Sequence, residues 1–151
     1  MQEVHFIMKI AIKFLVKIIP FIYMAAIWIM SSKPADAIVE FGMWDRTIKE
    51  SLHLVEFALL YGFFVLFFLA DQKFTPRISI IIAIFSSLYG LVDEIHQSFV
   101  PYRSATVIDF VKDVTGVFIL YLILQQTYFK NRTWVAKWLR AFETWMATNK
   151  K

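Results

Sequence analysis

Residues 93–113 read DEIHQSFVPYRSATVIDFVKD. The stretch joins two strongly apolar runs through a short polar turn containing Pro101, Tyr102 and Arg103. It sets Asp93, Glu94, His96 and Gln97 at the end of the first run, and Asp109, Lys112 and Asp113 at the start of the second. Ionisable groups at membrane depth are costly, and where they occur they face a bundle interior or a water-filled cavity. The expected structure is a hairpin of two spanning helices with its polar groups turned inward.

Outward from this hairpin the chain keeps the same character. Its 151 residues are long enough for one domain, and 59% are hydrophobic, above the roughly half that soluble domains carry. Apolar runs occupy residues 10–30, 51–70, 78–100 and 107–129. Each is near the ~20 residues that a spanning helix needs. A soluble bundle would have too little polar surface to cover four such runs. The fold class expected is all-α, a four-transmembrane-helix bundle over residues 1–129. A basic, Trp-rich tail follows over residues 130–151. With no cysteine, disulfides, zinc–thiolate sites and a thiol nucleophile are excluded.

The net charge of +4 reads as membrane topology, and no nucleic-acid partner is expected. Basic residues concentrate on one side of the four runs: Lys9, Lys13, Lys17, Lys73, Arg77, Lys130, Arg132, Lys137, Arg140, Lys150 and Lys151. The other side has Lys33, Arg46, Lys49 and Arg103, offset by Asp36, Glu40, Asp45 and Glu50. The positive-inside rule then places both termini in the cytoplasm and the 31–50 and 101–106 loops outside. Ala35-Asp36-Ala37 resembles a small-x-small cleavage site, but the run before it exceeds a signal peptide's 7–15-residue apolar region, so an uncleaved span is expected. In the tail, Trp134, Trp138, Ala141, Phe142 and Trp145 recur at helical spacing. That pattern predicts a cytoplasmic amphipathic helix lying in the membrane interface, with a partner-binding helix as the alternative.

Topology gathers the polar residues. Span two enters from outside, so His53 and Glu56 share one face of its outer turns at i, i+3. Span three ends outside with Asp93, His96 and Gln97 on one face, and Glu94 about 100° around the helix. Span four begins with Asp109 and Asp113 one turn apart. Three helices thus bring carboxylates to one level and His or Asp groups to the level above. The expectation is a polar pocket open to the outer face. Arg103, in the loop above it, is expected either to clamp an anionic group or to pair with Asp93, Asp109 or Glu94. Lys112 is expected as an internal counter-ion. Crowded carboxylates cannot all stay ionised without compensation, which suits acid–base chemistry, proton coupling or a divalent cation. No H-E-x-x-H, P-loop or G-x-S-x-G motif is present, and no metal-ligand set is assigned. Ser86-Ser87 reads as helix packing rather than a nucleophile.

These residues resemble the VanZ-like membrane protein family over roughly residues 10–128. The family's His-x-x-Glu-aromatic element is matched by His53, Glu56 and Phe57. Its Asp-Glu-x-x-Gln run is matched by Asp93, Glu94 and Gln97, and its Pro-Gly-Arg turn by Pro101, Tyr102 and Arg103. Its Asp, its Asn or Asp one turn later, and its following Gly are matched by Asp109, Asp113 and Gly116. Tyr102 stands where the family has Gly, so a different turn backbone is expected. The basic residue that precedes the second-span His is represented only by Lys49, and the tail lies outside the family pattern. The family is named for a protein that confers low-level teicoplanin resistance. The resemblance implies a multi-pass protein of the bacterial cell membrane with a cell-envelope role, and supplies no established chemistry.

Function therefore stays open between classes. One reading is a membrane enzyme or head-group-processing protein, with His53, Glu56, Asp93, Glu94, His96 and Asp109 as acid–base or metal-ligating groups and Gln97, Arg103 and Asp113 as ligand-binding groups. Another is a non-enzymatic, envelope-modulating binding protein, including a role in glycopeptide resistance. A third is a small proton-coupled transporter. Expected partners are membrane lipids and a lipid-linked envelope precursor, and a divalent cation is the cofactor compatible with the donor set. The sequence gives no oligomeric state.

Overall fold

The structure, a computed structural model, describes residues 2–33, 45–103, 105–130 and 133–147, the side chains of residue 2 and of 45–52 aside. The Ala35-Asp36-Ala37 segment, Arg132 and the last residues of the tail lie outside the described residues, as does the side chain of Lys49. Among those described, every regular element is a helix: α1 (Gln2–Ser31), α2 (Asp45–Ala70), α3 (Pro76–Gln97), α4 (Val107–Leu124) and α5 (Trp134–Ala147). A π-helical turn, Gln125–Phe129, extends α4 without a break.

Local chemistry sets the ends of the central hairpin. Thr75 caps α3, its hydroxyl accepting from the Ile78 amide at 3.2 Å, and Pro76 follows at the first helical position, where its missing N–H is no loss. Thr106 caps α4 by accepting from the Asp109 amide at 3.1 Å, and donates its hydroxyl to Asp109 Oδ2 at 2.6 Å. Asp109 thus sits in the first turn, where the helix dipole favours an anion. The helices begin and end within a few residues of the apolar runs, with two larger differences. α1 and α2 extend outward past the apolar residues, α1 by a full two turns at its start.

Among the described residues, three helices are long and apolar enough to cross a membrane: Glu3–Ser31, His53–Ala70 and Pro76–Gln97. α4 has 18 residues and carries Asp109, Lys112 and Asp113. α2 lies at the centre and touches α1, α3, α4 and α5. It supplies Phe57, Leu60, Tyr61, Phe64, Val65 and Leu69 to the core. α3 faces that core with a stripe at helical spacing: Ser79, Ile82, Ser86, Gly90, Asp93 and Gln97. Small residues in such a stripe let backbones approach closely, and Ser86 is indeed fully buried there. α1 packs along a narrow line through Lys9, Pro20, Ile27 and Ser31, leaving Phe14, Leu15, Ile22 and Ile29 exposed. So large an exposed apolar area suits a lipid surround rather than water.

α5 docks on the bundle by a face other than its Trp134–Trp138 stripe. Ala136, Leu139 and Met146 are buried, whereas Trp134 is 78% and Trp138 60% exposed. The Tyr128 hydroxyl donates to Glu143 at 2.7 Å, Arg140 donates to the Tyr128 carbonyl at 3.1 Å, and Lys9 lies 5.3 Å over the Trp145 ring. Leu139 and Met146 provide the docking stripe, and the exposed stripe keeps Trp134, Lys137, Trp138, Arg140, Ala141 and Thr144. At the same end, Lys13 and Lys17 both pair with Asp71, just past α2.

Candidate functional site

The opposite end of the bundle holds the polar residues. Here α1 and α3 end, and α2 and α4 run inward. Two glycines make their convergence close. A Cβ on Gly116 would lie 1.9 Å from the Leu54 carbonyl oxygen, so α2 and α4 meet backbone to backbone. A Cβ on Gly90 would lie 3.2 Å from Asp113 Cβ and 3.3 Å from its Oδ2, so Asp113 is pressed against α3. His53 adjoins Leu54, and Asp113 lies one turn before Gly116. The close crossing therefore sets those two side chains facing each other.

Three side chains converge there. His53 Nδ1 lies 3.3 Å from Asp113 Oδ1 and 4.0 Å from Glu94 Oε1. One donor atom from each of His53, Glu94 and Asp113 falls within 4.8 Å of the others. Asp113 is fully buried, and among the described residues its oxygens have no partner besides His53 Nδ1. Glu94 Oε1 is likewise buried without a hydrogen bond, and His53 Nδ1 has no partner beyond the two carboxylates. Glu94 Oε2 accepts from the Thr106 amide at 3.2 Å, which ties the end of α3 to the start of α4. Asp93 is buried beside this group. Its Oδ2 accepts from the Gln97 amide at 2.7 Å, and its Oδ1 has no donor. Glu56 is half-buried on α2, within electrostatic range of His53, Asp93 and Asp113.

The remaining sequence candidates stand elsewhere. Arg103 pairs with none of Asp93, Glu94 or Asp109. It donates to the carbonyls of Met30 at 2.8 Å and Lys33 at 3.0 Å, and to Gln97 Oε1 at 3.2 Å. It caps the end of α1, where the orphan carbonyls and the helix dipole favour a cation. Through Gln97 it also holds the amide that serves Asp93. His96 faces α1, not the carboxylates. Its ring stacks on Trp28 at 3.9 Å, and its Nε2 lies 2.9 Å from the Ser32 hydroxyl. Asp109 is taken up by the Thr106 cap and by Lys112, whose ammonium donates to Oδ1 at 2.9 Å. Sequence reasoning passed over Gly90, whose only signal was its position one turn before Asp93. Trp28 and Ser32, the partners of His96, carried no signal.

The turn at Pro101 explains one departure. Tyr102 has φ 62°, the left-handed region that a glycine enters freely. The turn keeps the glycine-like backbone although tyrosine occupies it. Below the site, an apolar groove of ≈ 410 Å³ runs between α3 and α4, lined by residues including Ala83, Ser87, Phe110 and Val114.

A family model described as VanZ/LLP1 matches residues 2–130. The chain belongs to that family. The match spans all four long helices and stops where the π-helical turn ends, so α5 is an addition beyond the VanZ/LLP1 region. With its exposed apolar helices, this VanZ/LLP1 member is a membrane protein. No curated protein and no solved structure matches the chain.

Proposed function

We propose that α1–α4 all cross the membrane, with both termini in the cytoplasm, and that the cluster at the α3–α4 turn is an outward-facing pocket for the polar head group of a lipid or cell-envelope component. The observation that carries this reading is the set of buried acceptors without donors: Asp93 Oδ1, Glu94 Oε1 and Asp113 Oδ2. Buried polar atoms are almost always hydrogen-bonded, so a group of unmet acceptors calls for a bound partner. The groove between α3 and α4 supports it, because Phe110 and Val114 on its wall flank Asp113 on α4. An acyl chain lying in that groove would bring its head group to the cluster. The Trp134–Trp138 stripe with Lys137 and Arg140 supports a cytoplasmic interface for α5.

Arg103 serves carbonyls in this arrangement, so recognition is assigned to the carboxylates and His53. The reading is tested by native mass spectrometry of the purified protein, together with lipid and precursor profiles of cells with and without it. A bound lipid or precursor retained by wild type and lost in Asp93→Asn is expected. A changed cellular profile would add processing to binding, and reduced teicoplanin susceptibility would place the protein beside the family's namesake. Absence of both a bound species and a profile change would overturn it.

A further inference from the structure

We infer that His53, Glu94 and Asp113 form a binding site for one divalent first-row cation, of the Mn²⁺ or Zn²⁺ kind. The donors come from three helices and converge within 4.8 Å of one another. A single ion can then reach all three at about 2.0–2.4 Å with small side-chain adjustments, the range of metal–nitrogen and metal–carboxylate bonds. A second observation makes this more than an acidic cluster. Asp113 is completely buried and pressed against Gly90, and no group outside the cluster donates to either oxygen among the described residues. The ligating nitrogen of His53 and Oε1 of Glu94 are buried and unsatisfied in the same place. With its proton on Nε2, a neutral His53 offers the Nδ1 lone pair beside these carboxylate oxygens, which is the requirement of a cation.

Charge points the same way. Among the described residues no lysine or arginine forms an ion pair with Glu94 or Asp113; Lys112 pairs with Asp109, and Arg103 serves carbonyls and Gln97. Two carboxylates balance a divalent ion. One imidazole nitrogen with two carboxylate oxygens suits Mn²⁺, Fe²⁺ or Zn²⁺ better than Mg²⁺ or Ca²⁺, which favour oxygen alone. Thr106 supplies an outer contact: its amide holds Glu94 Oε2, leaving Oε1 for the ion. The inference deepens the head-group reading, since a bound cation would present a phosphate-binding face. It does not require a lipid to be bound, so the two can fail separately.

The test uses the full chain in detergent, stripped with chelator and dialysed against Mn²⁺, Zn²⁺, Mg²⁺ or Ca²⁺, with elemental analysis of the retained metal. One equivalent of Mn²⁺ or Zn²⁺ per chain is expected. Affinity should fall at least about tenfold in His53→Gln and Glu94→Gln, and stay unchanged in Asp71→Asn at the other end of the bundle. Pulsed electron paramagnetic resonance of the wild-type Mn²⁺ form, with ¹⁵N-labelled histidine, should show one imidazole nitrogen bound to the metal, a signal that needs no variant to fold. No stoichiometric metal in wild type would overturn the assignment. So would retention unaffected by His53→Gln, or a Mn²⁺ signal with no imidazole coupling.

Discussion

Gly116→Ala is the sharpest test of how the site is held. The added methyl would lie 1.9 Å from the Leu54 carbonyl oxygen and 2.8 Å from its carbon. Carbon-to-oxygen contacts settle near 3.3 Å, so α2 and α4 would have to part by about 1.4 Å. The obstacle is backbone, which cannot rotate away as a side-chain end can. Helix propensity favours alanine by up to about 1 kcal/mol. Overpacking costs about 1–3 kcal/mol and more against backbone, so a net loss of about 2 kcal/mol is expected. For a chain of this size that lowers the apparent melting temperature by roughly 4–8 °C. Gly62→Ala is the matched control, because its methyl would meet only Leu120 Cδ2 at 3.5 Å, an ordinary contact. Thermal unfolding of the two variants in one detergent reads the difference. If Gly116→Ala melts with or above Gly62→Ala, the close α2–α4 crossing is wrong, and so is the His53–Asp113 geometry built on it.

Tyr102→Gly should stabilise by about 1 kcal/mol, because the left-handed backbone penalises a side chain and the ring, 83% exposed, loses no packing; an unchanged or lower melting temperature would contradict this. Arg103→Lys should cost about 2 kcal/mol, since one ammonium cannot reach three acceptors. Hydrogen exchange would show it as faster exchange at the end of α1, and unaltered exchange there would count against the cap. Burial raises the Asp71 carboxyl, but the hydrogen bonds and charges of Lys17 and Lys13 outweigh it and leave its pKa below the ordinary value. A carboxyl lowered in the folded state adds stability above its unfolded pKa and loses it as pH falls through the folded one. Stability should therefore decline below about pH 4, and Asp71→Asn should flatten that decline; an identical acid profile in the variant would refute the contribution.

Much of this was legible in the sequence because hydrophobic period is local. The four apolar runs place the long helices, apart from the added first turns of α1 and α2; the Thr75 and Thr106 caps went unread. Which side of α3 faces which neighbour was not legible, because that depends on where α1 packs. Taking Asp93 as zero, Gln97 stands at about 40°, Glu94 at about 100° and His96 at about −60°. The sequence grouped His96 with Asp93 and set Glu94 apart. The buried polar cluster instead takes the arc from 0° to 100°, and α1 covers the other flank through Trp28. The fate of Arg103 was hidden for a like reason: its acceptors are main-chain carbonyls of Met30 and Lys33, which no side-chain pattern reveals. In the tail, the tryptophan stripe drew the reading toward the membrane interface, and the second apolar stripe of Leu139 and Met146, which packs on the bundle, went unread.

Folding alone does not account for the cluster. A buried carboxylate without donors is costly, and replacing a buried ionic group by a well-packed apolar one is often neutral or stabilising. Asp113 sits against Gly90, whose missing side chain leaves it room, and Gly90 adds its own helix-propensity cost of about 1 kcal/mol. An apolar residue at 113 would pack the same space without unmet acceptors. By contrast, Asp109 and Arg103 have all the partners a structural role needs. The division is physical: polar residues at the rim are satisfied by the protein itself, and those at the centre are not. A purely structural polar core would show the reverse, with the deepest groups the best paired. Among the described residues Asp113 pairs only with His53, at 3.3 Å, and Glu94 Oε1 has no donor, so the centre of the cluster, rather than its rim, is where ligand binding is to be sought.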